Sequence, residues 1–275
     1  MRCGPAALAL LAIAQPARAS DLDFRYTYPP AAARVAPLRA WLESDKARLR
    51  TTAARDAAQG RADALRWGYP FRRYDAQKEW KVVTDTPRFL SLSAETYTYT
   101  GGAHGGTHTS SLIWDKAARR RLAPIDLFSE ASTLWAAVQR PFCTALKAEQ
   151  RRRLDQEDVG DTMHACPPFA RLVLLIGSSD GRRFDRIGLV ADQYVAGSYA
   201  EGIYDIALPV TPAVLKAVRP AYRRAFTAAQ PLSVRSDSSR ATTPSASRAS
   251  VSPSSVLSPR RGVSSRTHNA PSAIP

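Results

Sequence analysis

Two Gly-Gly pairs, Gly101-Gly102 and Gly105-Gly106, interrupt the stretch YTYTGGAHGGTHTSSLIW from Tyr97 to Trp114. No other segment constrains the chain as tightly. Glycine accepts positive φ and close backbone approach, both of which side chains resist. The flanks, Tyr97-Thr98-Tyr99-Thr100 and Thr107 to Trp114, are β-branched and aromatic and favour a pleated strand. The stretch therefore reads as two strands joined by a Gly-rich connection with His104 near its tip. His104 and His108 are two of the four histidines in the chain.

Elements of both kinds surround this stretch. Asp21 to Tyr28 alternates, with Leu22, Phe24, Tyr26 and Tyr28 on one side, which predicts a half-buried strand ended by Pro29-Pro30. Val35, Leu38, Leu42 and Leu49 recur near helical spacing, so a helix is expected over 31–65, with Pro37 in its first turn and Gly60 as a weak point or end. Strands are expected over 79–84, 88–100 and 107–114. Ser129 then caps a helix to about Arg153, with Glu130 in its first turn and Arg151 to Arg153 in its last, both favourable to the helix dipole. Further strands are expected over 169–176, 184–191 and 203–208, and Thr211-Pro212 opens a final helix to about Ala225. Helices and hairpins in blocks give an α+β class, antiparallel sheets with packed helices in two consecutive subdomains, 20–128 and 129–229.

The two ends differ from this body. Residues 1–19 read as a secretory signal peptide, with Arg2 before an apolar run from Ala6 to Ala14 and Ala17-Arg18-Ala19 as the cleavage pattern. The apolar run is too short to span a bilayer, which needs about 20 residues. No later stretch reaches that length, so an exported protein without a membrane span after signal cleavage is expected, periplasmic or secreted. Residues 230–275 are rich in Ser, Pro, Arg and Thr without apolar periodicity, and a disordered tail is expected. This tail reads as a basic arm for anionic polymers or as a segment without a selected role.

Export changes the meaning of the cysteines. Once Cys3 leaves with the signal, Cys143 and Cys166 remain as a pair in an oxidising compartment. A disulfide closing a loop of roughly twenty residues would contribute about 3 kcal/mol. Two buried thiols or one reactive nucleophile are the alternatives. The net charge of +15 includes six Arg and one Asp in the tail and Arg2 and Arg18 in the signal, which leaves +8 on residues 20–229. Such a surface favours anionic partners, although an Arg- and Ala-rich composition produces the same excess without one.

Chemistry-bearing residues form no recognised catalytic set. His104 and His108 would need Glu95, Asp115 or Asp126 to complete a metal site. Ser110, Ser111 and Ser198 stand outside any nucleophile elbow, and no phosphate loop, dinucleotide fingerprint or zinc ribbon is present. Glu95, Asp126, Glu201 and Asp205 are carboxylates of unknown separation. The ligand-binding candidates are Tyr97, Tyr99, His104, Tyr194 and Tyr199, because tyrosines near Gly-rich loops suit both glycan stacking and protein interfaces. No catalytic residue, metal set or cofactor is assigned.

A family resemblance rests on three groups of residues. Tyr97-x-Tyr99-Thr100-Gly101-Gly102-Ala103-His104-Gly105 resembles the Y-x-GGAH stretch of an extracytoplasmic domain pair shared by the anti-sigma factor RsiV and the N-terminal region of the deacetylase PdaC. Ala123 to Phe128 resembles that family's D-L-F continuation, and Tyr194, Ala200, Gly202 and Ile206 to Pro209 resemble its close. The resemblance spans roughly Leu22 to Phe226. It implies an α+β fold outside the cytoplasm and, by analogy with RsiV, a lysozyme-like protein partner. The deacetylase chemistry of PdaC belongs to a separate module whose metal-binding pattern does not follow Phe226. The expected function is an exported, non-enzymatic envelope protein that binds a cell-wall glycan or an exported protein, with no nucleic-acid partner. The alternative is a metal- or carboxylate-dependent hydrolase of envelope glycans centred on His104.

Overall fold

The computed structural model describes residues 21–229, apart from 157–159 and 161. The expected signal peptide and Ser/Pro/Arg-rich tail lie outside the described residues. Strand β1 (Leu22–Thr27) leads into two helices, α1 (Pro30–Ala33) and α2 (Ala36–Trp67). The single helix expected over 31–65 is broken at Val35, which is extended at φ −94° and ψ 98°. Pro37 has no N–H for the Ala33 carbonyl, and its ring clashes there, so the turn cannot continue across it. Gly60 does not end α2. It leaves room for Tyr74, whose hydroxyl would lie 2.2 Å from a Cβ built at that glycine.

The five-stranded sheet has the order β1-β2-β3-β4-β5, with β2 (Tyr74–Asp85), β3 (Phe89–Tyr99), β4 (Gly106–Asp115) and β5 (Arg120–Leu122). Neighbours from β2 onward are antiparallel. β1 runs parallel to β2, from Leu22 opposite Tyr74 to Thr27 opposite Glu79. A parallel pair needs a crossover, and α1 and α2 supply it. The second sheet is antiparallel, ordered β6 (Val173–Gly177), β7 (Arg186–Ala191) and β8 (Tyr204–Pro209). The α+β class with antiparallel sheets and packed helices is as expected.

The large sheet buries residues on both faces. Trp80, Leu90, Leu92, Leu112 and Trp114 pack against Leu38 and Leu42 of α2. A polar chain pins this helix to the sheet: Trp80 Nε1 donates to the Tyr26 hydroxyl at 2.8 Å, and that hydroxyl donates to Asp45 of α2 at 2.8 Å. Lys78 reaches the same carboxylate at 2.8 Å. Phe89 and Ile113, out of phase with Leu90 and Leu112, enter a second core with helix α3 (Ala131–Leu154) and β6 to β8. α3 presents Leu134, Val138, Phe142 and Leu146 at four-residue spacing. This second core draws residues from both sides of the Phe128/Ser129 boundary, and the described residues all fall within the compact unit Met1–Pro231.

Three element ends depart from expectation. The N-cap of α3 is Glu130, one residue later than expected, and the Ser129 N–H donates to the Ala217 carbonyl at 2.9 Å. Strand β6 begins only at Val173, after a 3-10 turn over Phe169–Arg171. The last helix, α4 (Pro212–Ala217), keeps its Thr211 cap, which accepts from the Val214 N–H, but stops early. Pro220 forces Arg219 out of the helical region, and a 3-10 turn over Pro220–Ala225 follows. Among the described residues no helix is long and apolar enough to cross a membrane.

Candidate functional site

The connection between β3 and β4 carries His104, and its glycines set the geometry. Gly101 has φ +88°, a conformation few side chains tolerate. Gly105 lies under the Tyr97 ring, whose atoms would stand 2.4 Å from an added Cβ. His104 projects outward beyond it. Its Nδ1 is 2.9 Å from the Gly105 carbonyl oxygen, so that nitrogen carries the hydrogen and Nε2 accepts. The Tyr194 hydroxyl approaches Nε2 at 3.4 Å. The imidazole stacks on the Tyr199 ring, with centroids 3.8 Å apart and an interplanar angle of 24°. Tyr194 lies 6.0 Å from Tyr199 and is 58% exposed. Of the five residues selected from the sequence, His104, Tyr194 and Tyr199 form one exposed stack, and Tyr97 backs it through Gly105. Tyr99 stands apart, opposite Asp75 of β2.

The loop 192–202 brings both tyrosines to this stack, and it is fastened at each end. At its start, the Asp192 carboxylate accepts the Thr109 N–H at 3.0 Å and meets His108 Nδ1 at 3.0 Å, while Gln193 Oε1 accepts the Thr107 N–H at 3.1 Å. Tyr194 takes φ +65°, and Arg171 donates to its carbonyl at 3.1 Å. At the far end Glu201 is a hub. Its carboxylate accepts from the Ser198 N–H at 2.6 Å, the Tyr204 hydroxyl at 2.6 Å and His164 Nε2 at 3.0 Å. Burial pushes this carboxyl up, but the hydrogen bonds from Tyr204, Ser198 and His164 outweigh it and hold its pKa at about 2. Burial and the hydrogen bond to Glu201 push the Tyr204 hydroxyl well above the usual range.

This hub ties the loop to α3. Gln150 of α3 donates to the Ala196 and His164 carbonyls at 2.7 and 3.2 Å. The expected disulfide joins Cys143 of α3 to Cys166, with 5.4 Å between Cα atoms, and so places His164 beside the helix. His164, Tyr204 and Gln150 were not singled out from the sequence. The single cue was His164 standing two residues before Cys166.

The alternative chemistries find little in this geometry. His104 and His108 do not converge, since His108 belongs to Asp192. Asp115 is buried against Arg88 at 3.0 Å and accepts the Ala117 and Ala118 N–H groups, and Asp126 accepts the Ala123 N–H. Glu95 lies near Lys81. Among the described residues no group of three or more His, Cys, Asp or Glu side chains could hold a metal ion.

Residues 21–107 match the family model described as Deacetylase PdaC. The N-terminal region is PdaC-like. The match begins beside β1 and ends at Thr107, so the PdaC-like region contains the Gly-rich turn with both glycine pairs but not loop 192–202. No curated protein matches the sequence. Solved structures similar to this chain include two from the DUF3298 family. One is a member of the DUF3298 family from Bacteroides fragilis, at 17% identity and a TM-score of 0.39, covering 62% of this chain and 66% of that one. The other is a DUF3298 family protein from Pseudomonas aeruginosa, at 18% identity and a TM-score of 0.44, covering 72% of this chain and 85% of that one. The chain thus spans just under two thirds of the length of the Bacteroides protein.

Proposed function

We propose that this chain is an exported, non-enzymatic binding protein of the cell envelope, and that the stack of His104, Tyr194 and Tyr199 contacts an envelope glycan. One observation carries the reading: the His104 ring lies flat on Tyr199 at 3.8 Å while Tyr194 stays 58% exposed beside it. Flat aromatic faces at the surface suit the C–H face of a sugar ring, and tyrosine supplies both apolar area and a hydroxyl at low entropic expense. The tight fastening of loop 192–202 supports the same reading, because a platform held before contact loses little freedom on binding. The export pattern of residues 1–19 favours an envelope ligand.

An exported protein partner is the second occupant that the PdaC/RsiV resemblance suggests. A hydrolase centred on His104 has less support, since among the described residues neither of its ring nitrogens meets a carboxylate. The test is co-sedimentation of the full chain with insoluble cell-wall glycan, beside pull-down on immobilised lysozyme. Retention on the glycan that falls at least tenfold in the Tyr194→Ala/Tyr199→Ala variant is the expected outcome. Retention equal to that of the unsubstituted chain overturns the reading, and retention on lysozyme alone transfers the surface to a protein partner.

A further inference from the structure

The turn that carries His104 has a second side. Thr100, Gly101 and Gly102 wall a cavity of about 540 Å³ whose other walls are Tyr69, Phe71, Arg72 and Tyr74, with Gly60 of α2 beneath. That volume lies within the range of about 300–1,000 Å³ typical of small-molecule sites. None of these walls belongs to the His104 stack. We propose that this cavity is a saccharide subsite that takes a sugar ring bearing a carboxylate.

Three properties of the walls point to that chemistry. First, flat faces meet polar tips. The Phe71 and Tyr74 rings stack with centroids 5.6 Å apart, and the Tyr69 ring is 50% exposed at the rim. Sugar rings combine an apolar C–H face with polar edges, and such walls match both. Secondly, the polar groups are available. The Tyr74 hydroxyl has no hydrogen-bond partner among the described residues, although the ring is half-buried. Gly60 lets that hydroxyl settle against α2, and Gly101 and Gly102 leave the opposite wall as bare backbone, so a ring with several hydroxyls meets donors and acceptors from two sides. An apolar ligand would leave these groups unpaired.

Thirdly, a cation lines the cavity, Arg72, while the carboxylates of Asp56 and Asp63 act on the Tyr74 hydroxyl from α2. Arg72 makes a single bond, from Nη1 to the Gly102 carbonyl at 3.3 Å, and meets no carboxylate among the described residues. Its Nε and Nη2 are free to form the paired bonds that guanidinium makes with a carboxylate. Arg66, next along the chain from the exposed Leu65, sits 5.0 Å from the Trp67 ring centroid and likewise meets no carboxylate among the described residues. By contrast Arg61, whose guanidinium lies 4.9 Å from the Phe71 ring centroid, is committed to Asp21 at 2.7 Å. Arg72 is therefore the lining cation that meets no carboxylate among the described residues. A carboxylated sugar gains over a neutral one from it.

This inference rests on the envelope-glycan reading for its ligand class but on separate residues. Calorimetric titration of the full chain with two soluble disaccharides distinguishes them: one containing a hexuronic acid and an N-acetylhexosamine, the other built of two neutral N-acetylhexosamines. The expected result is saturable binding of the uronic acid disaccharide, weakened about tenfold by Tyr69→Ala and brought to the level of the neutral sugar by Arg72→Gln. Tyr194→Ala/Tyr199→Ala should leave that titration unchanged. Both Tyr69 and Arg72 are exposed, so melting temperatures should match the unsubstituted chain. Absence of saturable heat with either sugar, or binding indifferent to Tyr69→Ala and Arg72→Gln, overturns the subsite. Co-sedimentation with the polymer judges the His104 platform independently, so either proposal can fail while the other stands. Binding of the uronic acid disaccharide that Tyr194→Ala/Tyr199→Ala abolishes and Tyr69→Ala spares assigns the acidic sugar to the His104 platform and ends the subsite proposal.

Discussion

Two histidines, sixty residues apart in the chain by their numbering, sit in opposite surroundings. His104 is exposed, bonded to one backbone carbonyl and stacked on Tyr199. His164 is largely covered, 14% exposed at its side chain, and faces a carboxylate that is 6% exposed. The first leaves aromatic surface open to solvent. The second spends its ring nitrogen on Glu201, which also holds Ser198 and Tyr204. The contrast separates contact from support: the exposed group is poised to meet a ligand, and the buried group keeps the loop that presents Tyr199 in place. A cluster rich in hydrogen bonds is thus the scaffold here, and the sparse one is the platform.

Breaking the support should cost far more stability than breaking the platform. The largest effect is expected from Cys143→Ser/Cys166→Ser, which removes the cross-link beside His164 and should lower the unfolding free energy by about 3 kcal/mol in a denaturant titration. A loss below about 1 kcal/mol would mean that the His164 segment is held by its hydrogen bonds alone. Glu201→Ala comes next. It strands the Tyr204 hydroxyl and the Ser198 N–H, and a loss of about 2 kcal/mol is expected by the same titration.

The same carboxylate sets a pH dependence. Its pKa in the folded chain is about 2 against an ordinary 4.5, so its contribution is complete above pH 4.5 and fades as pH falls through about 2. Thermal melting between pH 5 and 2 should therefore drop more steeply in the unsubstituted chain than in Glu201→Gln. Identical slopes would assign the acid sensitivity to other carboxylates. The smallest change in stability is expected from His104→Ala, within about 0.5 kcal/mol as for surface substitutions generally, with glycan co-sedimentation nevertheless reduced. A stability loss above about 2 kcal/mol would make His104 a supporting residue and erase the contrast.

Much of the fold was legible because the deciding interactions are local. The alternation of Leu22, Phe24 and Tyr26 marked β1, and the glycine pairs marked the β3–β4 turn. Thr211 with Pro212 marked the start of α4. What escaped was decided across distance. Nothing in Leu22–Thr27 says that it pairs in parallel with Tyr74–Glu79, since a strand reads the same in either direction. Gly60 looked like a breaker because its reason for being glycine, the Tyr74 hydroxyl, comes from a different element. Pro220 was passed over because a good cap at Thr211 predicts where a helix starts and says nothing of where it stops. The tyrosines near glycine-rich loops were visible as a composition, and the structure joins Tyr194 to His104 across 90 residues. The pairing of His164 with Glu201 across 37 residues left no sequence pattern at all.

The fastening of loop 192–202 has one more consequence. Thr107 and Thr109 direct their N–H groups away from β3, on the margin of the large sheet that the three residues of β5 leave uncovered. Gln193 and Asp192 fill those positions with side-chain oxygens. An unguarded margin of this kind invites a strand from another molecule. Here a would-be strand finds the two donors already taken and a negative charge in its way. Any polypeptide that docks near His104 must therefore be recognised through its side chains, and the sheet cannot be lengthened at that margin by simple backbone pairing.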